Sequence, residues 1–95
     1  MALEILSEPS KPEDAERIAA DLRAAIENQL TDAAADVRAV SPGHFEIDVV
    51  WPGFEGQSRV KQQQAVYAAI AHLMRGDAAP VHAVDRLTTQ VSAGS

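Results

Sequence analysis

The 95-residue sequence contains no cysteine. This absence excludes disulfide bonds, a thiol nucleophile and a metal site built only from thiolates of this chain. Any metal must therefore bind histidine or carboxylate side chains, or share ligands that a partner supplies. The histidines are His44, His72 and His82, and their spacing matches no local zinc motif.

Long hydrophobic runs are also missing, which predicts that no segment spans a membrane. The start of the chain lacks the basic region, the long apolar stretch and the cleavage-like site of a signal or transit peptide; it reads "MALEILSEPSKPEDAE". These features predict a soluble protein of the cytoplasm. Ser58, His82 and Asp85 lack the nucleophile elbow or any comparable signature of a catalytic triad, so an enzyme is not predicted.

The net charge of -6 is placed unevenly along the chain. Residues 1–36 hold nine acidic and three basic residues, whereas residues 37–95 hold five of each. Global acidity opposes nonspecific binding to nucleic acid, because long-range repulsion slows the encounter with a polyanion. A local basic face is nevertheless present, since Arg59, Lys61 and Arg75 lie in a stretch without acidic residues.

A chain of this length predicts one domain, which we assign to residues 10–91 between an N-terminal tail of residues 1–9 and a C-terminal tail of residues 92–95. Apolar residues at three- and four-residue spacing predict a first helix over about residues 11–30. Two strands, "DVRAV" and "HFEIDVVW", follow as a hairpin around "SPG". In the second strand the alternating residues predicted to face the core are Phe45, Ile47, Val49 and Trp51.

The second half of the chain predicts a helical segment, a longer helix and a third strand. "PGFEG" breaks the second strand, and Ser58 is the predicted N-cap of the longer helix. The third strand is "VHAVDRLTTQV". The side chains of the longer helix predicted to face the core are Val66, Tyr67, Ile70, Leu73 and Met74.

Three motifs, in their order along the chain, resemble the BolA family: "GHFEIDVV", "FEGQSRVKQQQAVY" and "VHAV". The resemblance covers roughly residues 15–89, and the second motif is similar to the branch with lysine and glutamine rather than an Arg-His-Arg triplet. It implies an α/β fold like class II KH domains, in the order α-β-β-α-α-β, with the helices on one face of a three-stranded sheet. It also implies a non-enzymatic adaptor that is a monomer or weak homodimer when alone.

The family resemblance further implies a partner and a cofactor. BolA-like proteins pair with monothiol glutaredoxins around a [2Fe-2S] cluster, in iron-sulfur maturation or in iron or stress regulation. A glutaredoxin cysteine and glutathione supply thiolates, and the imidazole of His82 in "VHAV" is the implied ligand from this chain. His44 stands at the end of the loop in which the family carries a second ligand and is the candidate second ligand, but its match to a family His-Phe motif favours a structural role over ligation. We expect the acid-free helix start to lie near His82 and to tolerate the negatively charged cluster and glutathione.

Nucleic-acid binding, as a KH-like transcriptional regulator, is the alternative function. The segment "GFEG" has the GxxG form of the loop with which KH domains clamp a nucleic-acid backbone. The candidate contacts to DNA are Arg59, Lys61 and Arg75. Against this function, Glu55 lies within the GxxG segment, and glutamines stand where the other branch of the family has cations.

Overall fold

The computed structural model of the protein describes residues 12–76 and 78–92. Its elements are, in chain order, α1 (Pro12–Gln29), β1 (Ala34–Ser41), β2 (His44–Val50), a short 3-10 helix (Pro52–Phe54), α2 (Arg59–Met74) and β3 (Ala83–Gln90). The predicted α/β class is confirmed, and the predicted helical segment before α2 is the single 3-10 turn. Only two of the elements are therefore α-helices. Residues 1–11, which include the predicted tail and helix start, lie outside the described residues.

Strand β2 occupies the centre of the sheet, with β1 antiparallel on one side and β3 parallel on the other. The parallel pairing requires a crossover connection, and α2 supplies it. The register of β2 and β3 shifts once, because Phe45 is opposite Val84 whereas Glu46 is opposite Arg86. Asp85 is therefore the extra residue of a β-bulge near the start of β3, shortly after His82.

Both helices cover the same face of the sheet. The fully buried Leu22 and Ile26 of α1 and Val66 and Ile70 of α2 belong to one core cluster. The same cluster contains the inward residues of β2, namely Phe45, Ile47 and Val49. The strict alternation of β2 leaves its other side chains on an open face, as the sequence predicts.

The core face of α2 differs from the prediction at one position. The sequence pattern predicts that Tyr67 faces the core, but this residue is 39% exposed. Val66, Ala69 and Ile70 lie on the buried stripe instead, and Tyr67 falls one position off it. Gln62, one turn before Val66, completes the buried stripe as a polar residue.

Candidate functional site

His82 lies immediately before β3. Its side chain is exposed, whereas that of the preceding Val81 is buried. Val81 is only 1% exposed and its N–H donates to the carbonyl of Leu73 at 3.2 Å, which ties this segment to the end of α2. The next two amides, of His82 and Ala83, both donate to the carbonyl of Gly43, at 2.8 and 3.1 Å. The backbone of His82 is thus held between the core and the turn that joins β1 to β2.

A cavity of about 470 Å³ opens beside His82. Its walls come from the start of α1, the β1–β2 turn and the segment before β3, including Ile18, Val40, Phe45 and Pro80. Apart from His82, the residues that line it in the described part of the chain carry no ionisable side chain. The imidazole therefore stands at an uncharged, largely apolar surface, where no lining carboxylate repels a negatively charged ligand.

His44 begins β2 and lies opposite Ala83, the residue that follows His82. The sheet therefore brings both predicted histidines to the same end of neighbouring strands. Nδ1 of His44 is 2.9 Å from Oδ1 of Asp85, in the bulge of β3. A carboxylate at this position orients the imidazole ring and also links the two strands. This contact was not predicted, because the two residues are 41 positions apart in the sequence.

Two of the three glutamines of "KQQQ" have hydrogen-bond partners inside the protein. Gln62 is buried; its Nε2 donates to the carbonyl of Gln57 at 3.0 Å, and its Oε1 accepts from the hydroxyl of Thr89 at 2.6 Å. Gln63 Nε2 donates to the carbonyl of Leu87 at 3.4 Å. These contacts place the start of α2 beside the end of β3.

The expectation that the acid-free helix start lies near His82 is therefore wrong. His82 precedes the first residue of β3, whereas the helix start contacts Leu87 and Thr89, near its last residue. The physical reason is the crossover: the short connection after α2 must bring the end of this helix, not its start, to the beginning of β3. Gln62 and Gln63 attach the start of α2 to β3.

The three candidate nucleic-acid contacts are not brought together. Arg59 and Lys61 are exposed in the first turn of α2, whereas Arg75 follows its last residue. A helix of 16 residues is about 24 Å long, so Arg75 is separated from the other two cations by roughly this distance. The described structure thus forms no compact patch from all three side chains, and nucleic-acid binding stays a prediction from the sequence.

The structure of this chain explains both glycines of the GxxG segment. Gly53 lies in the 3-10 helix, where a Cβ atom would come within 2.5 Å of the indole ring of Trp51. Gly56 has a φ of +81°, which glycine adopts without strain. The segment begins inside the 3-10 turn that comes after β2, and its glycines are explained by close packing and backbone conformation.

The open face of the sheet carries a charge network around Arg38. Its guanidinium lies 2.6 Å from Asp36, 3.1 Å from Asp48 and 3.5 Å from Glu46. The hydrogen bond from Thr88, and then that from Arg38, hold the pKa of Asp48 below its ordinary value, while the bond to Asp48 raises the pKa of Arg38. Asp48 therefore stabilises the fold above its unfolded-state pKa, and this contribution is lost as the pH falls through its folded pKa. The three carboxylates around Arg38 outnumber the cations Arg38 and Arg86 on this face, which makes it unfavourable for phosphate groups.

The described residues contain no group of three or more His, Asp or Glu side chains placed to hold a metal ion. A metal centre at His82 would therefore take most of its ligands from another molecule. The exposed imidazole fits such a shared site, because a neutral ring nitrogen is a metal ligand and a partner can reach it. No helix within residues 12–76 and 78–92 has the length and apolar character needed to cross a membrane.

Comparison with known proteins gives a consistent result. The family model for BolA-like proteins matches residues 19–92. A solved BolA protein homologue from Coxiella burnetii is 30% identical, with a TM-score of 0.63 over 76% of this chain and 87% of that chain. BolA1 from Arabidopsis thaliana is 23% identical, with a TM-score of 0.66 over 81% of this chain and 94% of that chain. The BolA domain of SufE1 from Arabidopsis thaliana is 20% identical, with a TM-score of 0.67 over 80% of this chain and 93% of that chain.

The two plant structures support the fold alone, and a search of curated protein sequences gives no significant match. The family assignment rests on the other two comparisons and agrees with the order of elements found in the structure. Because the family model spans most of the sequence and the bacterial homologue shares 30% of its residues, this chain belongs to the BolA family.

Proposed function

We propose that this protein is a non-enzymatic adaptor that pairs with a monothiol glutaredoxin in the cytoplasm to bind or transfer a [2Fe-2S] cluster. The observation that carries the proposal is the exposed imidazole of His82, held by its backbone on the β1–β2 turn beside a cavity whose described lining residues, apart from His82, carry no ionisable side chain. Membership of the BolA family supports the choice of partner. Alone, the chain is a monomer or weak homodimer in this proposal.

His82 would contribute one ligand, and the glutaredoxin cysteine and glutathione would contribute the thiolates. Such a cluster supplies an iron position that accepts imidazole in place of thiolate, as in other clusters with mixed ligation. The buried Val81 and the carbonyl of Gly43 hold the ligand residue in place before any partner arrives, which lowers the ordering cost of association. Among the described residues, the lining of the cavity beside His82 carries no carboxylate that would repel the anionic cluster and glutathione.

Titration of the protein into a cluster-loaded monothiol glutaredoxin with glutathione tests this function. We expect a new visible circular dichroism spectrum that saturates near one protein per glutaredoxin, because nitrogen ligation changes the charge-transfer bands of the cluster. A spectrum equal to that of the loaded glutaredoxin alone at every ratio would contradict the proposal. Submicromolar, sequence-selective binding to duplex DNA in a parallel titration would favour the nucleic-acid alternative.

For His44 we propose a structural role. His44→Ala is expected to lower the free energy of unfolding by about 0.5 kcal/mol, since exposed pairs such as His44–Asp85 contribute little. Urea unfolding of His44→Ala, Asp85→Ala and the double variant measures the coupling between the two side chains. The visible spectrum of the mixed complex should be unchanged in His44→Ala. Loss of that spectrum to the extent seen in His82→Ala would instead identify His44 as a second ligand.

A further inference from the structure

Two backbone hydrogen bonds to one residue of the β1–β2 turn join this turn to the start of β3. The carbonyl of Gly43 accepts hydrogen bonds from the amides of both His82 and Ala83. Two donors on one carbonyl fix the backbone on either side of the His82 α-carbon. The turn therefore restrains the direction of the Cα–Cβ bond of His82.

The imidazole ring also lies directly against Gly43. A Cβ atom added to Gly43 would be 2.7 Å from Nδ1 of His82, 2.8 Å from its Cγ and 3.2 Å from its Cβ. The first two distances are shorter than any ordinary carbon contact, so a side chain at position 43 would clash with the ring in its present position. Gly43 also has a φ of +76°, a conformation that residues with a Cβ atom adopt at a cost.

We propose that Gly43 is the positioning residue of His82, and that the turn leaves Nε2 as the nitrogen that binds metal. This inference rests on the proposed function. Nδ1 and Cγ of the ring lie against the position that a Cβ atom of residue 43 would take, whereas Nε2 is not among the three atoms nearest to that position. A ligand nitrogen needs open space for a metal at about 2.0–2.1 Å and for the partner molecule behind it.

A second glycine offers a matched control for the backbone conformation. Gly56 has a φ of +81°, and a Cβ atom added there meets nothing within 4 Å. Gly43→Ala and Gly56→Ala should therefore carry similar backbone strain, while only Gly43→Ala displaces the imidazole. We expect both variants to unfold at a temperature lower by about 4–8 °C. Gly43→Asn provides a second test, because asparagine tolerates positive φ but still introduces a Cβ atom.

The first measurement uses the protein without any cluster. Nuclear magnetic resonance of the wild type and the three variants should show shifted His82 ring resonances in Gly43→Ala and Gly43→Asn, and unchanged ones in Gly56→Ala. Titration into cluster-loaded glutaredoxin should then show about tenfold weaker formation of the mixed complex for the Gly43 variants only, the size of effect typical for residues that orient a metal ligand.

The positioning role of Gly43 and the choice of nitrogen are contradicted by different results. Unchanged His82 ring resonances in both Gly43 variants, or equal weakening of the mixed complex in Gly56→Ala, would overturn the positioning role. In the wild-type mixed complex, electron–nuclear spectroscopy of the reduced cluster should show coupling to Nε2, and coupling through Nδ1 would overturn the choice of nitrogen. Failure of the wild type to form any mixed complex would overturn the proposed function itself, and with it the ligand role of His82.

Discussion

Replacement of His82 by alanine is expected to leave the protein folded and to abolish the cluster spectrum of the mixed complex. The side chain is exposed, so its loss should change the free energy of unfolding by no more than about 0.5 kcal/mol. Without the imidazole, one iron position lacks its nitrogen ligand and remains open to thiolate from glutathione or a second glutaredoxin. Far-ultraviolet circular dichroism measures the fold, and visible circular dichroism with loaded glutaredoxin measures the cluster.

The matched control for this experiment is His72→Ala. His72 is also exposed, but it lies in the last turn of α2 and does not line the cavity beside His82. The control variant should give the wild-type spectrum at the same protein concentrations. A folded His82→Ala protein whose spectrum equals that of the wild type would remove His82 as the ligand, and with it most of the proposed mechanism.

Gln62→Leu is expected to produce a large loss of stability with no direct effect on the cluster. Leucine has a similar size, but it leaves the buried hydroxyl of Thr89 and the carbonyl of Gln57 without the amide that now bonds them. A buried polar group that loses its partner costs about 1–3 kcal/mol, so we expect the free energy of unfolding to fall by roughly 2 kcal/mol. Urea unfolding followed by circular dichroism measures this change.

Gln64→Leu is the control for the neighbouring position. Gln64 is exposed, and the same substitution there should change the free energy of unfolding by less than about 0.5 kcal/mol. Under conditions where both variants are folded, the visible spectrum of the mixed complex should match that of the wild type. Equal stability of the two leucine variants would show that the hydrogen bonds of Gln62 contribute no net stability.

The tertiary structure changes the interpretation of the glutamine-rich helix start. From the sequence, consecutive polar residues without acid suggest a surface for a negatively charged ligand. In the structure, Gln62 and Gln63 bond to the loop before α2 and to β3, and only Gln64 of the three is exposed. Polar side chains on a core stripe are misread from sequence because their partners, such as Thr89, are 27 positions away.

The sequence by itself determined the features of this protein that depend on near neighbours in the chain. The order of the elements follows from local hydrophobic periodicity, which records whether a residue faces the core. The cap at Ser58 follows in the same way, since its hydroxyl accepts from the amide of Lys61 only three residues later. The family motifs also indicated His82 before any contact of its side chain was known.

Only the tertiary structure decided which distant residues meet at the site. The contact of Gly43 with His82 joins the β1–β2 turn to the segment before β3, and that of His44 with Asp85 joins β2 to β3. Both contacts lie at the end of a parallel strand pairing with a bulge, between residues that are far apart in sequence. Hydrophobic periodicity specifies burial but not the register or direction in which elements pair, because many pairings bury the same side chains. The crossover through α2 determined the direction and register in which β3 pairs with β2. It thereby placed the imidazole beside the β1–β2 turn rather than beside the start of the helix.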